Sequence, residues 1–67
     1  MIDIVLNGVP KRLPAPLDIA ALLDGEGLAG KRVAVERNGE IVPKSQHSRV
    51  AVAAGDRIEI VVAVGGG

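Results

Sequence analysis

The stretch that decides the fold is residues 57–64, R-I-E-I-V-V-A-V. It begins with strict alternation of charged and apolar residues and is rich in β-branched side chains, which is typical of a strand with one face on a core. Alternation predicts that Ile58, Ile60, Val62 and Val64 share the core face. The chain is therefore expected to close on a strand.

A second alternating segment, residues 2–6, opens the chain. Asn7-Gly8 follows it, and both residues tolerate the positive φ of a type I′ turn, so residues 9–13 should return as the other strand of a hairpin. Pro10 marks that return strand as an edge strand. The opening and closing strands are the most apolar, so we expect them side by side and parallel at the centre of the sheet.

One amphipathic helix is predicted between the two hairpins. Asp18 can cap it, and residues 19–23 place apolar side chains at i, i+3 and i+4. Gly25 and Gly27 should end it.

A second hairpin follows the helix. Residues 31–36 alternate, and Asn38-Gly39 should turn the chain into a short strand at residues 41–42. Residues 44–49 are polar and are interpreted as a surface turn in which His47 is solvated. The order of elements predicts an α+β roll, in which one mixed sheet of four to five strands has the single main helix packed on one face.

Composition excludes several classes of function. The 67 residues include no Phe, Tyr or Trp, and eight basic residues balance eight acidic ones, so neither stacking platforms nor a basic stripe is available for nucleic acid. No apolar stretch approaches the roughly 20 residues needed to span a bilayer, and no signal peptide is recognised. The chain is therefore expected to be soluble, and because it lacks cysteine we expect a cytoplasmic location. We expect a monomer when the protein is free.

No internal active site is predicted. Residues 25–30 match G-x-G-x-x-G, but this copy follows a helix and precedes a strand, the reverse of a dinucleotide-binding motif, so a loop is favoured. His47 is the only histidine and lacks the partners of a metal site or triad. Ser45 and Ser48 have no positioned base, and Asp56 is assigned to a turn with its neighbouring glycine. The sequence predicts no metal site, no bound cofactor and no enzymatic activity of its own.

The last three residues, Gly65-Gly66-Gly67, form the remaining feature. Glycine has no side chain to bury against the entropy cost of ordering, so the tail is expected to be flexible and slender enough to enter a narrow tunnel with its terminal carboxylate leading. Composition alone leaves a frayed end or a linker as an equal alternative. Residues 1–64 would then be the folded domain and residues 65–67 the tail.

A candidate docking surface lies on the opposite face of the predicted sheet. Val5, Val61 and Ala63 are out of phase with the core residues of their strands, so they should point away from the helix. If the first and last strands are adjacent, these side chains could offer an apolar surface to another protein.

The chain resembles a known family, the ubiquitin-like sulfur carriers, and within it the ThiS family of thiamine biosynthesis. The likeness runs the full length, and it rests on the Asn7-Gly8 hairpin, residues 18–23 (D-I-A-A-L-L), residues 38–44 (N-G-E-I-V-P-K), residues 55–60 (G-D-R-I-E-I) and the Gly-Gly end. The resemblance implies a β-grasp fold. The chain departs from the family in having Gly65 before the usual diglycine and in lacking aromatic residues.

The resemblance also implies a carrier cycle. A ubiquitin-activating-like adenylyltransferase would use ATP and magnesium to adenylate the carboxylate of Gly67, with Gly65 and Gly66 threading the active site. Sulfur from a cysteine desulfurase would convert the adenylate to a thiocarboxylate, and thiazole synthase would consume it. Two alternatives stay open: the small subunit of molybdopterin synthase, which has the same kind of tail, and a ubiquitin-like binding module that is never activated.

Overall fold

The computed structural model describes residues 1–14 and 16–63. In chain order the elements are β1 (Ile2–Leu6), β2 (Val9–Leu13), β3 (Leu17–Asp18), α1 (Ile19–Gly25), β4 (Val33–Arg37), β5 (Glu40–Val42), the 3₁₀ helix η1 (Lys44–Gln46), β6 (Ala51–Val52) and β7 (Arg57–Val62). A five-stranded mixed sheet has the order β2-β1-β7-β4-β5, and β3 and β6 form a separate two-stranded ribbon. The predicted α+β roll is confirmed.

The first and last strands meet at the centre of the sheet, as the sequence predicts. Strands β1 and β7 pair in parallel, and each also pairs antiparallel with an outer strand. Both predicted hairpins are present, with φ values of 50° and 80° at Asn7 and Gly8 and of 53° and 85° at Asn38 and Gly39. Strand β2 lies at one edge, where the missing N–H of Pro10 leaves no gap in the ladder.

Helix α1 begins and ends at the signals in the sequence. The Asp18 carboxylate accepts a hydrogen bond of 2.7 Å from the N–H of Ala21. At the other end Gly27 has a φ of 74°, and the N–H of Leu28 donates to the carbonyl of Leu23 at 2.8 Å. This Schellman arrangement satisfies carbonyls that the end of a helix would otherwise leave free.

An aliphatic core lies between α1 and one face of the sheet. Its buried residues are Ile4, Leu6, Leu13, Ile19, Leu22, Leu23, Val35, Val42, Val52, Ile58 and Ile60. Val62 shares this face in the register, since it pairs with Val33 as Ile60 pairs with Val35, but it is 40% exposed and is not part of the buried core. At that level β7 has passed the end of β1 and has only β4 beside it. Val64 lies outside the described residues.

The prediction that His47 is solvated is also wrong. Its side chain is 8% exposed, and Nε2 donates a hydrogen bond of 3.1 Å to the carbonyl of Val42. The carbonyl of His47 accepts from the N–H of Ala20 at 2.9 Å, so the turn after η1 closes against both β5 and the start of α1. A polar stretch of sequence carries no sign of that packing, which depends on distant elements.

Candidate functional site

The predicted working residues Gly65, Gly66 and Gly67 lie outside the described residues. The structure describes the chain as far as Ala63. We call Val62, the last residue of β7, and Ala63, which follows it, the tail root. Val62 pairs with Val33 of β4, and the N–H of Ala63 donates to the carbonyl of Arg32 at 2.9 Å. The chain is thus attached to the sheet as far as Ala63.

Strand β7 is held at the centre of the sheet beyond the point where its pairing with β1 ends. The last residue pair between β1 and β7 is Leu6 with Ile58. Directly after it, the N–H of Asn7 donates to the carbonyl of Ile58 at 2.9 Å. The side-chain oxygen of Asn7 then accepts the N–H of Ile60 at 2.7 Å. One turn residue therefore extends the ladder by a step and satisfies a backbone donor that β1 does not reach.

The start of β7 is fixed by Asp56, a buried residue that is only 6% exposed. It accepts hydrogen bonds from Arg37 Nε at 2.7 Å, from the N–H of Ala53 at 2.8 Å and from Asn38 Nδ2 at 3.0 Å. The side-chain oxygen of Asn38 also accepts the N–H of Arg57 at 2.9 Å. Sequence reasoning assigned Asp56 to a turn, and it missed this network because Arg37 and Asn38 lie 19 and 18 residues away in the chain.

The pKa of Asp56 reflects two opposing effects. Burial alone would raise the pKa of its carboxyl group, but the hydrogen bonds from Arg37, Ala53 and Asn38 outweigh burial and hold the pKa below its ordinary value. The carboxylate is therefore charged and fully bonded at neutral pH. Asp56 therefore acts as a structural anchor for the start of β7.

The three predicted docking residues all lie outside the core. Val5 is half-buried, while Val61 and Ala63 are exposed. Val5 is level with Arg57 in the register, and Val61 is four residues further along β7, about 13 Å away at the rise of a strand. The three residues therefore form two separate apolar areas instead of the expected one. One lies around Val5 and the other at the tail root, because β1 ends level with the start of β7. Docking itself stays a prediction.

The structure shows where the other residues considered for chemistry lie in the described part of the chain. No three His, Asp or Glu side chains of residues 1–14 and 16–63 are placed to hold a metal ion. Ser45 and Ser48 are exposed, and Nε2 of His47 is engaged by a carbonyl. Residues 25–30 form the end of α1 and the loop before β4, so their glycines do not open a helix. No helix in the described ranges is long and apolar enough to cross a membrane.

Comparisons with known proteins match this chain over almost its whole length. A model of the ThiS family matches residues 4–67. A crystal structure of the thiamine biosynthesis protein ThiS from Geobacter metallireducens superposes with a TM-score of 0.85 at 29% identity, covering 98% of this chain and 100% of that one.

Relatives among curated proteins are of two kinds. A thiazole synthase of Paramagnetospirillum magneticum is 48% identical over 64 residues, which are 96% of this chain but 20% of that protein. A thiazole synthase of Magnetococcus marinus is 41% identical over 62 residues and 19% of its length, so the chain spans about a fifth of these relatives. The uncharacterized protein ycf40 of Porphyra purpurea is 32% identical over 66 residues, with 98% of this chain and 93% of that protein covered.

Proposed function

The chain belongs to the ThiS family, and from that premise we propose that it carries sulfur for thiamine biosynthesis on the carboxylate of Gly67. The observation that carries the proposal is the family match, which extends through the glycines to residue 67. Strand β7 supports it, because its pairing with β4 continues to Val62 and the N–H of Ala63 bonds the carbonyl of Arg32, so the chain is held to the sheet until just before the glycines. In this role the chain is a co-substrate of other enzymes.

The proposed chemistry takes place at one carbon atom. A carboxylate oxygen of Gly67 attacks the α-phosphorus of ATP in an adenylyltransferase, pyrophosphate leaves with magnesium, and an acyl adenylate forms. A sulfur donor then attacks the acyl carbon, a C–S bond replaces the C–O bond, and AMP leaves. With hydrosulfide the exchange needs no reductant, whereas a persulfide supplied by a cysteine desulfurase also needs a thiol to cleave its S–S bond.

The composition of the chain supports this location for the sulfur. The sequence contains no cysteine, so no thiol is available to carry sulfur as a persulfide. Glycines at the end of the chain present little bulk on either side of the reacting carboxylate. The carboxylate of Gly67 is then the group best suited to hold transferable sulfur.

Thiazole synthase is proposed as the enzyme that consumes the thiocarboxylate. Two relatives named thiazole synthase contain a segment similar to almost all of this chain within a polypeptide about five times as long. Joining a carrier to its acceptor raises their effective concentration, a benefit only for proteins that act on each other. These names also favour thiamine biosynthesis over the molybdenum cofactor.

The proposal is tested by intact mass spectrometry of the full chain. After incubation with the cognate adenylyltransferase, ATP, magnesium and a sulfur donor, the mass should rise by the difference between one sulfur and one oxygen atom. Fragmentation should place the gain on Gly67. A reaction without ATP is the control, and an unchanged mass with an enzyme that forms adenylates on another carrier would reject the proposal.

A further inference from the structure

A groove opens beside the tail root, on the side of the sheet that carries the helix. We call it the tail-root groove; its volume is about 550 Å³, and it lies between the end of α1, the segment that leads into β4, and η1. Leu23, Leu28 and Val33 form an apolar floor, and Lys31, Arg32 and Lys44 form the rim. The rim residues are exposed.

The charge of this groove is one-sided although the whole chain is neutral. Eight basic and eight acidic residues cancel over the chain, yet none of the described residues that line the groove is acidic. Within the described ranges the ion pairs are made by other cations, namely Lys11, Arg12 and Arg37. Among the described residues, none of the three rim cations forms an ion pair with a carboxylate side chain.

The groove is continuous with the place where the tail begins. Arg32 forms part of the rim, and its carbonyl accepts the N–H of Ala63. On the proposed function the reacting carboxylate belongs to Gly67, four residues after Ala63, and four extended residues span at most about 14 Å. An enzyme that acts on the terminal carboxylate must therefore bring the mouth of its active site against the tail root.

We propose that the tail-root groove binds an acidic segment of the adenylyltransferase while the tail occupies that enzyme's active site. The inference rests on the proposed function, to which it adds the surface and the chemistry of partner recognition. Carboxylates of the enzyme pair with the rim cations, and an apolar side chain between them covers the floor. Complementary charge of this kind accelerates encounter and sets the orientation in which the tail arrives.

The test is a steady-state measurement of adenylation with the full chain as the varied substrate. Formation of the acyl adenylate is followed by ATP–pyrophosphate exchange with the purified cognate adenylyltransferase. Arg32→Glu and Lys44→Glu, which lie on opposite walls, should each raise KM for the carrier about tenfold or more, because each places like charges together. The value of kcat should stay unchanged, since the tail is intact once bound. Added salt should raise KM more for the wild-type chain than for either variant.

Arg12→Glu is the matched control. Arg12 is also exposed and lies on edge strand β2, away from the groove, and its reversal changes the net charge by the same amount. Its KM should stay within about twofold of the wild-type value because distant exposed charges are screened. Thermal denaturation of each variant establishes that it is folded.

Three results would overturn the inference. Unchanged KM for both groove variants would show that no acidic segment binds there, and an equal rise in all three variants would reduce the effect to net charge. A fall in KM would mean that the groove holds the chain's own tail carboxylate. If the wild-type chain itself supports no exchange, the proposed function fails; normal exchange with unaffected variants refutes the groove alone.

Discussion

At the scale of single residues, Asp56 fixes the start of β7. Its carboxylate bonds Arg37 at the end of β4 and the N–H of Ala53 before β7. Its own carbonyl accepts the N–H of Val5 in β1 at 2.9 Å. Three strands of the sheet are therefore set relative to one another by one residue that directly precedes the functional strand.

Replacing Asp56 with Asn should lower the free energy of unfolding by about 1–3 kcal/mol at neutral pH, because it leaves bonds to a charged, partly buried group unmade. The acid dependence should also weaken. The pKa of Asp56 is lower in the folded state than the ordinary 3.8, so the stability that it contributes is complete above that value and is lost as pH falls through the folded pKa. Denaturation at a series of pH values from about 5 to about 2 measures both effects.

Asp3→Asn is the control for that comparison. Asp3 bonds Arg12 at 2.8 Å on an exposed surface, where an ion pair contributes little. An equal loss of stability in the two variants at neutral pH would contradict the role assigned to Asp56. So would an Asp56→Asn variant with the acid dependence of the wild-type chain.

At the scale of elements, the open face of the sheet carries the untested docking prediction. On this face Val61 stands opposite Ala34 of β4, whereas Glu36 and Glu59 stand opposite each other in the next row. Like charges directly opposite are destabilising, so the pair of Glu36 and Glu59 does not stabilise the isolated sheet. The apolar row is the one adjacent to the tail root, where a partner that receives the tail must approach.

Val61→Asp tests whether that row docks the adenylyltransferase. We expect KM for the carrier in ATP–pyrophosphate exchange to rise about tenfold or more, because a desolvated carboxylate would face the partner. Ile41→Asp is the matched control: Ile41 is 74% exposed and Val61 66%, and both lie on the same face, but Ile41 is on edge strand β5. Normal activation of Val61→Asp would remove this row from the interface with that enzyme.

The elements also show what sequence can and cannot predict. Hairpins and the helix were predictable because their signals are local: Asn7-Gly8 adopts the turn by itself, and Asp18 caps the helix within three residues. The ribbon of β3 and β6 has two residues per strand, too few to show a period. Burial of His47 and the hydrogen bond from the N–H of Ile60 to the side chain of Asn7 depend on residues brought close only by the finished sheet.

At the scale of the whole molecule, folding and the proposed chemistry use different parts of the chain. The core, the caps and the Asp56 network all lie before residue 61, and the proposed reacting group is on residue 67. A working site at the glycine tail could be proposed from composition and resemblance without any knowledge of packing, and it stays a prediction. Its anchorage through Asn7 and Arg32 could not, since neither residue has a sequence signal for that role.

This division predicts the effect of shortening the tail. Deleting Gly67 should leave the melting temperature within about 1 °C of the wild-type value, because no core residue is changed. Sulfur loading should fall at least about 100-fold, since the carboxylate then ends one residue, roughly 3.5 Å, short of its position, and misplacement by 1 Å already has an effect of that order.

Gly65→Ala is the control, because it keeps the length of the tail and should still load. Because the shortened chain still ends in two glycines, normal loading after deletion would mean that the Gly-Gly end suffices and that tail length does not position the carboxylate; a large fall in melting temperature would mean that the tail belongs to the fold.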